Sequence, residues 1–178
     1  MQDTTQRLVN ARDRKIQPID ADAIPLTING KPYFHGGDPE MPLVWFLRDV
    51  LRLTGTKAGG CGDGADCGGV CTLLVEGRAV RACRTPMNQL IGKRVVTIEG
   101  LHEGALHPVQ QAWIEEDVSP TGYVQPAVIM AAVGLLMRNH RPSDEEIAGL
   151  AVLCRDGSYP RVRRAVARAA ELMRAAGT

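Results

Sequence analysis

The most distinctive stretch of this chain is a dense run of cysteines and glycines, Gly59-Gly60-Cys61-Gly62-Asp63-Gly64-Ala65-Asp66-Cys67-Gly68-Gly69-Val70-Cys71. Cys83 follows this stretch, so four of the five cysteines lie within 23 residues. Six glycines lie in the same stretch. Thiolates at this density need a partner, and the candidates are disulfides, zinc and an iron–sulfur cluster.

The glycines favour the cluster. A loop that wraps several sulfurs round a small inorganic core needs backbone conformations that side chains would block. Its amide N–H groups must also turn toward the anionic sulfurs, as in other backbone anion nests. We therefore predict a [2Fe–2S] cluster with Cys61, Cys67, Cys71 and Cys83 as ligands and the amides of Gly60, Gly62, Gly64 and Gly68 around it.

Other metals fit this spacing less well. Structural zinc sites favour two close pairs of ligands, whereas here three cysteines share a loop and one is distant. A Rieske centre requires two histidines, and none of the four histidines lies in the loop. A hairpin with Glu76-Gly77-Arg78 at its tip would return Cys83 to Cys71. Another metal, or no metal, stays an open alternative.

The loop is similar to that of plant-type ferredoxins, where spacings of four and two residues precede a more distant fourth cysteine. Here the spacings are five, three and eleven residues. Glycines allow a loop to bulge by one residue with little strain. Asp63 and Asp66 add negative charge that would lower a cluster's reduction potential, unless they are simply solvated carboxylates.

Composition places few further limits on function. The chain has 178 residues, is 44% hydrophobic and carries a net charge of +1, so no global signal indicates a nucleic-acid partner. It contains no secretory signal pattern and no apolar stretch long enough to span a membrane. We therefore expect a cytoplasmic protein, or a periplasmic one if a partner carries it across the membrane.

The pattern along the chain predicts an α+β fold in two domains. Strands are expected at 24–33 with an Asn-Gly turn, at 72–75, 79–82 and 95–98. A helix is expected at 42–53, with Gly55 as its stop and with one apolar face formed by Leu43, Phe46, Leu47, Val50 and Leu51. Four helices are expected after these strands. The first two lie at 108–118 and 126–139, a short third one begins after a capping box at Ser143, and the fourth runs from Pro160 to about Met173. The predicted parts are an N-terminal arm at 1–22, a ferredoxin-like domain at 23–101 and a four-helix domain at 102–178.

Several further motifs, in order, extend the resemblance from one loop to a family. They resemble the iron–sulfur subunit of molybdenum hydroxylases, as in small subunits of isoquinoline oxidoreductase and of bacterial aldehyde dehydrogenases of the xanthine oxidase class. The motifs are Leu53-Thr54-Gly55-Thr56-Lys57, Cys83-Arg84-Thr85-Pro86, Val96-Thr97-Ile98-Glu99-Gly100-Leu101, His107-Pro108-Val109-Gln110-Gln111-Ala112-Trp113, Gly122-Tyr123-Val124-Gln125-Pro126 and Ser158-Tyr159-Pro160-Arg161.

This resemblance implies a β-grasp ferredoxin domain followed by a four-helix domain, each holding one [2Fe–2S] cluster in a typical member. It also implies a partner, a large subunit that contains molybdopterin and oxidises an aldehyde or an N-heterocycle. Electrons would leave through this chain to an acceptor such as a flavoprotein or cytochrome c subunit. The resemblance also makes Gln125 a candidate contact to the pterin.

The second cluster site departs from the family. Carried over residue by residue, its four ligand positions fall on Thr121, Val124, Cys154 and Asp156, so one thiolate remains. We therefore predict that this cluster is absent and that Cys154 is a small buried side chain.

The leading hypothesis is therefore an electron-transfer subunit with one [2Fe–2S] cluster and no catalytic residues of its own. The alternative is a structural or assembly subunit that has lost its redox role. A free-standing ferredoxin is a third, weaker possibility, because a lone carrier does not need an apolar helical domain.

Overall fold

The computed structural model describes residues 23–59, 68–102, 104–118, 121–150, 152 and 157–176. The predicted arm at 1–22 lies outside these residues. The strands of the described part are β1 Ile24–Ile28, β2 Lys31–His35, β3 Thr72–Val75, β4 Arg78–Arg81 and β5 Arg94–Val96. Its α-helices are α1 Leu43–Trp45, α2 Pro108–Glu115, α3 Gln125–Leu136, α4 Asp144–Ala148 and α5 Tyr159–Ala176. The prediction of an α+β fold is confirmed.

Two tight hairpins form where the sequence predicts them. Asn29 and Gly30 join β1 to β2 with φ angles of 50° and 73°. Glu76 and Gly77 join β3 to β4 with φ angles of 49° and 73°. A turn with positive φ at both central residues has a twist that matches the twist of the paired strands. Asn and Gly adopt positive φ readily, so this turn favours the pair Asn-Gly.

The strands form one mixed sheet in the order β2-β1-β5-β3-β4. β1 and β5 run parallel at its centre, and the neighbouring pairs are antiparallel. β5 ends at Val96, two residues before the end of the predicted strand, and a 3₁₀ turn at Ile98–Gly100 follows. The Asn29 side chain causes this change of direction, because it accepts from the Thr97 N–H and donates to the Thr97 hydroxyl, both at 2.9 Å.

The first helix is shorter and wider than predicted. After α1 the chain continues as a π-helical turn at Phe46–Val50, in which the Leu51 N–H bonds to the Phe46 carbonyl oxygen five residues earlier at 3.0 Å. Arg52 then takes a left-handed φ of 59° and ends the helix three residues before Gly55, the predicted stop. The apolar face was predicted correctly, since Leu43, Phe46 and Leu47 are buried.

β3 contributes to two hydrophobic clusters, one on each face of the sheet. Leu73 and Val75 belong to the cluster that contains α1 and the π-helical turn. Leu74 points the opposite way, as alternation along a strand requires, and belongs to the cluster formed by α2, α3 and α5. The helical part of the chain therefore packs directly on the sheet.

α3 is the buried helix of the helical part. Ten of its 12 residues are buried, which agrees with its nearly continuous apolar sequence. Gly134 brings the helix against the sheet: a Cβ there would lie 3.0 Å from the Ala79 nitrogen and 3.1 Å from a methyl of Leu74. Within the described part of the chain, no helix combines the length and apolar character needed to cross a membrane.

α5 is held to α2 and α4 by ion pairs on its arginine-rich face. Arg161, Arg164 and Arg168 pair with Asp117, Glu116 and Glu115 at 2.7, 2.7 and 2.8 Å, and Arg163 pairs with Asp144 at 2.7 Å. The sequence alone favours a solvated face here, or one that pairs with a partner subunit. The structure shows instead that the partners of these arginines lie within the chain.

Two of the helices begin with capping boxes. The box predicted at Ser143 is present, with the Glu146 N–H donating to Ser143 Oγ. The box at α2 uses a histidine: His107 Nδ1 accepts from the Val109 N–H at 3.2 Å, and Gln110 Oε1 accepts from the His107 N–H at 3.1 Å. Burial lowers the pKa of His107 below its usual range.

Replacing Gly134 with leucine is expected to destabilise the protein by about 1–3 kcal/mol, because the side chain would overlap the backbone of β4. Denaturant unfolding would measure this loss. Ala167→Leu is the control, since it adds the same bulk on the exposed face of α5 and is expected to change stability by less than about 0.5 kcal/mol. Equal stability of the Gly134→Leu protein and the wild type would show that α3 does not approach β4 this closely.

His107 makes the stability of α2 dependent on pH. Because its pKa is lower in the folded state, stabilisation is complete above about pH 6.5 and is lost as pH falls through the lowered value. Protonation also removes the Nδ1 acceptor, a cap worth about 1 kcal/mol. His107→Asn keeps a cap that does not titrate, so unfolding midpoints between pH 7 and pH 5 should fall less than in the wild type. His102→Asn, at an exposed position, should retain the wild-type slope.

Candidate metal centre

The β3–β4 hairpin brings two of the predicted ligands together. Cys71 directly precedes β3, and Cys83 lies in a 3₁₀ turn, Ala82–Arg84, directly after β4. The Ala82 N–H donates to the Cys71 carbonyl oxygen at 3.2 Å, which extends the pairing of the strands to the cysteines. Their Sγ atoms lie 3.3 Å apart. Cys61, Cys67, Gly60, Gly62 and Gly64 lie outside the described residues.

The distance between the two sulfurs fits shared ligation of a metal. A disulfide requires about 2.05 Å, so the two side chains are not bonded to each other. Two thiolates about 2.3 Å from one tetrahedral metal lie about 3.8 Å apart, and the observed 3.3 Å is close to this value. Cys71 is fully buried and Cys83 is partly exposed. The residues present therefore fit two ligands of a cluster that lies near the surface.

The loop returns to the sheet through two left-handed glycines. Gly68 and Gly69 have φ angles of 60° and 79°, a conformation that side chains disfavour. The Gly69 carbonyl oxygen accepts from both the N–H and the hydroxyl of Thr72, at 2.9 and 2.6 Å. These bonds fix the direction in which Cys71 enters β3. Gly68 thus has the backbone geometry predicted for it, and its role beside a cluster stays a prediction.

The segment before the loop is held by side chains that the sequence did not single out. Arg48 Nη1 donates to the carbonyl oxygens of Thr54 and Thr56 at 3.0 and 2.9 Å. The Gly55 N–H donates to Glu99 Oε1 at 2.7 Å. The sequence offers no local signal for either contact, because Glu99 is 44 residues away and Arg48 resembles any polar residue on a helix.

Tyr123 connects the helical part of the chain to the cysteine loop. Its hydroxyl donates to the Ala58 carbonyl oxygen at 2.9 Å, across 65 residues of sequence. A Cβ at Gly59 would lie 3.3 Å from the same hydroxyl. The turn between α2 and α3 therefore lies directly beside the start of the loop.

Gln125 lies inside the helical core. It is 4% exposed, and its Oε1 accepts from Trp113 Nε1 at 2.9 Å. Its Nε2 has no hydrogen-bond partner among the described residues. Contact with a pterin stays a prediction, and it would require this amide to be uncovered. In this structure Gln125 is a buried residue that holds the Trp113 side chain, and not a residue of the exposed helix surface.

Among the described residues, the helical part contains no group of side chains that could hold a metal ion. Val124 is aliphatic and packs against the helical core. Cys154 and Asp156 lie outside the described residues. Cys154 is the sole cysteine of the sequence after Cys83, and a [2Fe–2S] cluster requires four ligands. These residues do not fit the group.

Comparison with known proteins identifies the general class of protein to which the chain belongs. A profile of the [2Fe–2S] binding domain matches residues 97–167. Together with the paired thiols of Cys71 and Cys83, this match places the chain among the iron–sulfur proteins.

Relatives identify the family. The chain is 43% identical over 151 residues to the alpha subunit of isoquinoline 1-oxidoreductase from Brevundimonas diminuta, covering 83% of this chain and 97% of that one. It is 44% identical over 154 residues to a subunit of nicotinate dehydrogenase from Pseudomonas putida, covering 85% and 96%. The crystal structure of quinoline 2-oxidoreductase from Pseudomonas putida 86 superposes with a TM-score of 0.77 at 32% identity, covering 88% of this chain and 98% of the matched chain.

The chain belongs to the family of iron–sulfur small subunits of the molybdenum hydroxylases. This confirms the prediction, made from the sequence, of an iron–sulfur subunit of the molybdenum hydroxylases.

Tyr123→Phe removes one hydrogen bond at the start of the loop and keeps the ring. Stability should fall by about 0.5–1 kcal/mol, and amide hydrogen exchange at Ala58 and Gly59 should become faster. Tyr159→Phe is the matched control, because its hydroxyl bonds to Val152 at 3.3 Å, within the helical part. Unchanged exchange at Ala58 and Gly59 in the Tyr123→Phe protein would show that this hydroxyl does not hold the loop.

Proposed function

We propose that this chain relays electrons through a [2Fe–2S] cluster held by Cys61, Cys67, Cys71 and Cys83, for a large subunit that contains molybdopterin. The observation that carries the proposal is the pair of adjacent thiols, Cys71 and Cys83, at the base of a hairpin in a chain of this family. The three relatives described above are named for isoquinoline, nicotinate and quinoline, which are all N-heterocycles, whereas the matched aldehyde oxidoreductases are covered over only a small share of their length. This favours an N-heterocycle over an aldehyde as the substrate of the complex.

The residues of this chain would hold, orient and shield the cofactor. A [2Fe–2S] cluster supplies acceptance and release of one electron at a time. Cys71 enters from the buried side, where the hydrophobic cluster of α1 and β3 excludes water. Cys83 enters from the partly exposed side, which leaves an edge of the site open to a redox partner. Arg48 and Glu99 keep the segment before the loop in place.

Two hydrophobic clusters support the proposed division into domains. One lies between α1 and the sheet and supports a β-grasp, ferredoxin-like domain at 23–101. The other lies among α2, α3 and α5 and supports a four-helix domain at 102–178. We further propose that the electron acceptor is a flavoprotein or cytochrome c subunit, and that the complex is cytoplasmic unless a partner carries it to the periplasm.

A structural or assembly subunit is the second candidate function. The observation that favours it is the loss of cysteines from the helical part, which keeps its packing without them. Such a subunit would bind its large partner and play no part in turnover.

Cys83→Ser separates the two candidates. If the chain is a relay, the complex with the large subunit still assembles, loses the iron and acid-labile sulfide of one cluster, and passes electrons to its acceptor at least about 100-fold more slowly. Thr85→Ser is the control, since it keeps the hydroxyl that donates to the Arg81 carbonyl oxygen in the same turn. Normal turnover of an assembled Cys83→Ser complex would exclude the relay and establish the structural role.

A further inference from the structure

The residues that match the profile do not include the ligands that a [2Fe–2S] cluster requires. Residues 97–167 match a [2Fe–2S] binding domain, yet of the five cysteines in the chain Cys154 is the single one inside this range. A [2Fe–2S] cluster takes four thiolates, or two thiolates and two imidazoles. One thiolate satisfies neither set.

Histidines do not replace the missing thiolates. His102, His107 and His140 lie in the matched range. His107 Nδ1 already accepts the Val109 N–H that caps α2. Across residues 104–118, 121–150 and the other described ranges, no three histidine, cysteine, aspartate or glutamate side chains lie close enough to hold a metal ion.

The turn before α3 is used for packing and not for ligation. The Val124 carbonyl oxygen accepts the N–H groups of Ala127 and Val128 at 3.1 and 3.2 Å and so starts α3. Its side chain packs on the helical core. The next residue, Gln125, is bonded to Trp113 of α2. These contacts hold α3 to α2.

Protein contacts also join the end of α2 to the start of α5. Arg161 Nη1 donates to both the carbonyl oxygen and the carboxylate of Asp117, at 2.5 and 2.7 Å. The Tyr159 hydroxyl donates to the Val152 carbonyl oxygen at 3.3 Å. The Arg161 contacts therefore connect the end of α2 to the start of α5, and the Tyr159 bond connects the start of α5 to Val152, on the side of α4. A cluster with ligands from the turn after α2 and from the segment before α5 would otherwise make such a connection.

We infer that residues 97–167 retain the fold of a [2Fe–2S] binding domain but hold no cluster, and that side-chain contacts of Arg161, Gln125 and Tyr159 tie its turns together instead. The cluster proposed for Cys61, Cys67, Cys71 and Cys83 would then be the single iron–sulfur centre of the chain, and this part of the inference rests on the proposed function.

The test compares two cysteine variants of the complex with its large subunit. Iron, acid-labile sulfide and the spin count of the reduced [2Fe–2S] signals are measured per copy of this chain. Cys154→Ser should match the wild type in all three, and Cys154→Ala provides the same comparison if the serine protein folds poorly. Cys83→Ser should lose two irons, two sulfides and one spin.

A loss of about two irons in the Cys154 variants, or a [2Fe–2S] signal that survives Cys83→Ser and disappears when Cys154→Ser is added, would overturn the inference. If Cys83→Ser also leaves iron and spin count unchanged, the proposed loop cluster is wrong while the inference about residues 97–167 stands. The two failures are therefore distinguishable.

Discussion

The hairpin of β3 and β4 is the constraint on which the two halves of the molecule depend. Its open end holds the Cys71 and Cys83 sulfurs 3.3 Å apart. Its first strand has Leu73 on the face toward α1 and Leu74 on the face toward α3. A shift of one residue in its register would exchange the two faces and also separate the two thiols. Packing and metal ligation therefore select the same register.

The segment that leads into the cysteine loop is held from both sides by the rest of the chain. On the sheet side, Arg48 and Glu99 bind the backbone between Thr54 and Thr56. On the helical side, Tyr123 binds Ala58. The reduction potential of an iron–sulfur cluster responds to hydrogen bonding and exposure around its sulfurs. The helical part contacts the segment that leads into the cysteine loop, so it can influence a cluster held there.

The ion pairs between α5 and its neighbours contribute less to stability than the apolar contacts beneath them. They lie at the surface, where each pair alone contributes little because water and salt screen it. Beneath them, Val162, Ala165, Val166 and Ala169 are buried against the helical core. The apolar stripe supplies most of the stabilisation, and the arginines determine which acidic residues α5 lies beside.

Local signals predicted much of the fold correctly. Asn29-Gly30 and Glu76-Gly77 specify their turns through backbone conformation, and Ser143 with Glu146 specifies a helix start through hydrogen bonds between near neighbours. The apolar face of the first helix was also predicted, whereas its π-helical turn and its end at Arg52 were not. Residues of this segment are buried together with residues of the sheet, and a local pattern does not contain such contacts.

From the sequence alone the class of site could be predicted, because four cysteines within 23 residues, beside six glycines between Gly59 and Gly69, favour thiolate ligation in a tightly turning loop. The sequence also determined that residues 97–167 lack the thiolates for a second cluster, since composition alone decides a ligand count. The tertiary structure was needed to show that α3 lies on the sheet through Gly134, and that Arg48, Glu99 and Tyr123 hold the segment before the loop. The reason is physical: these contacts join residues distant in sequence, and their partners are determined by the packing of whole elements.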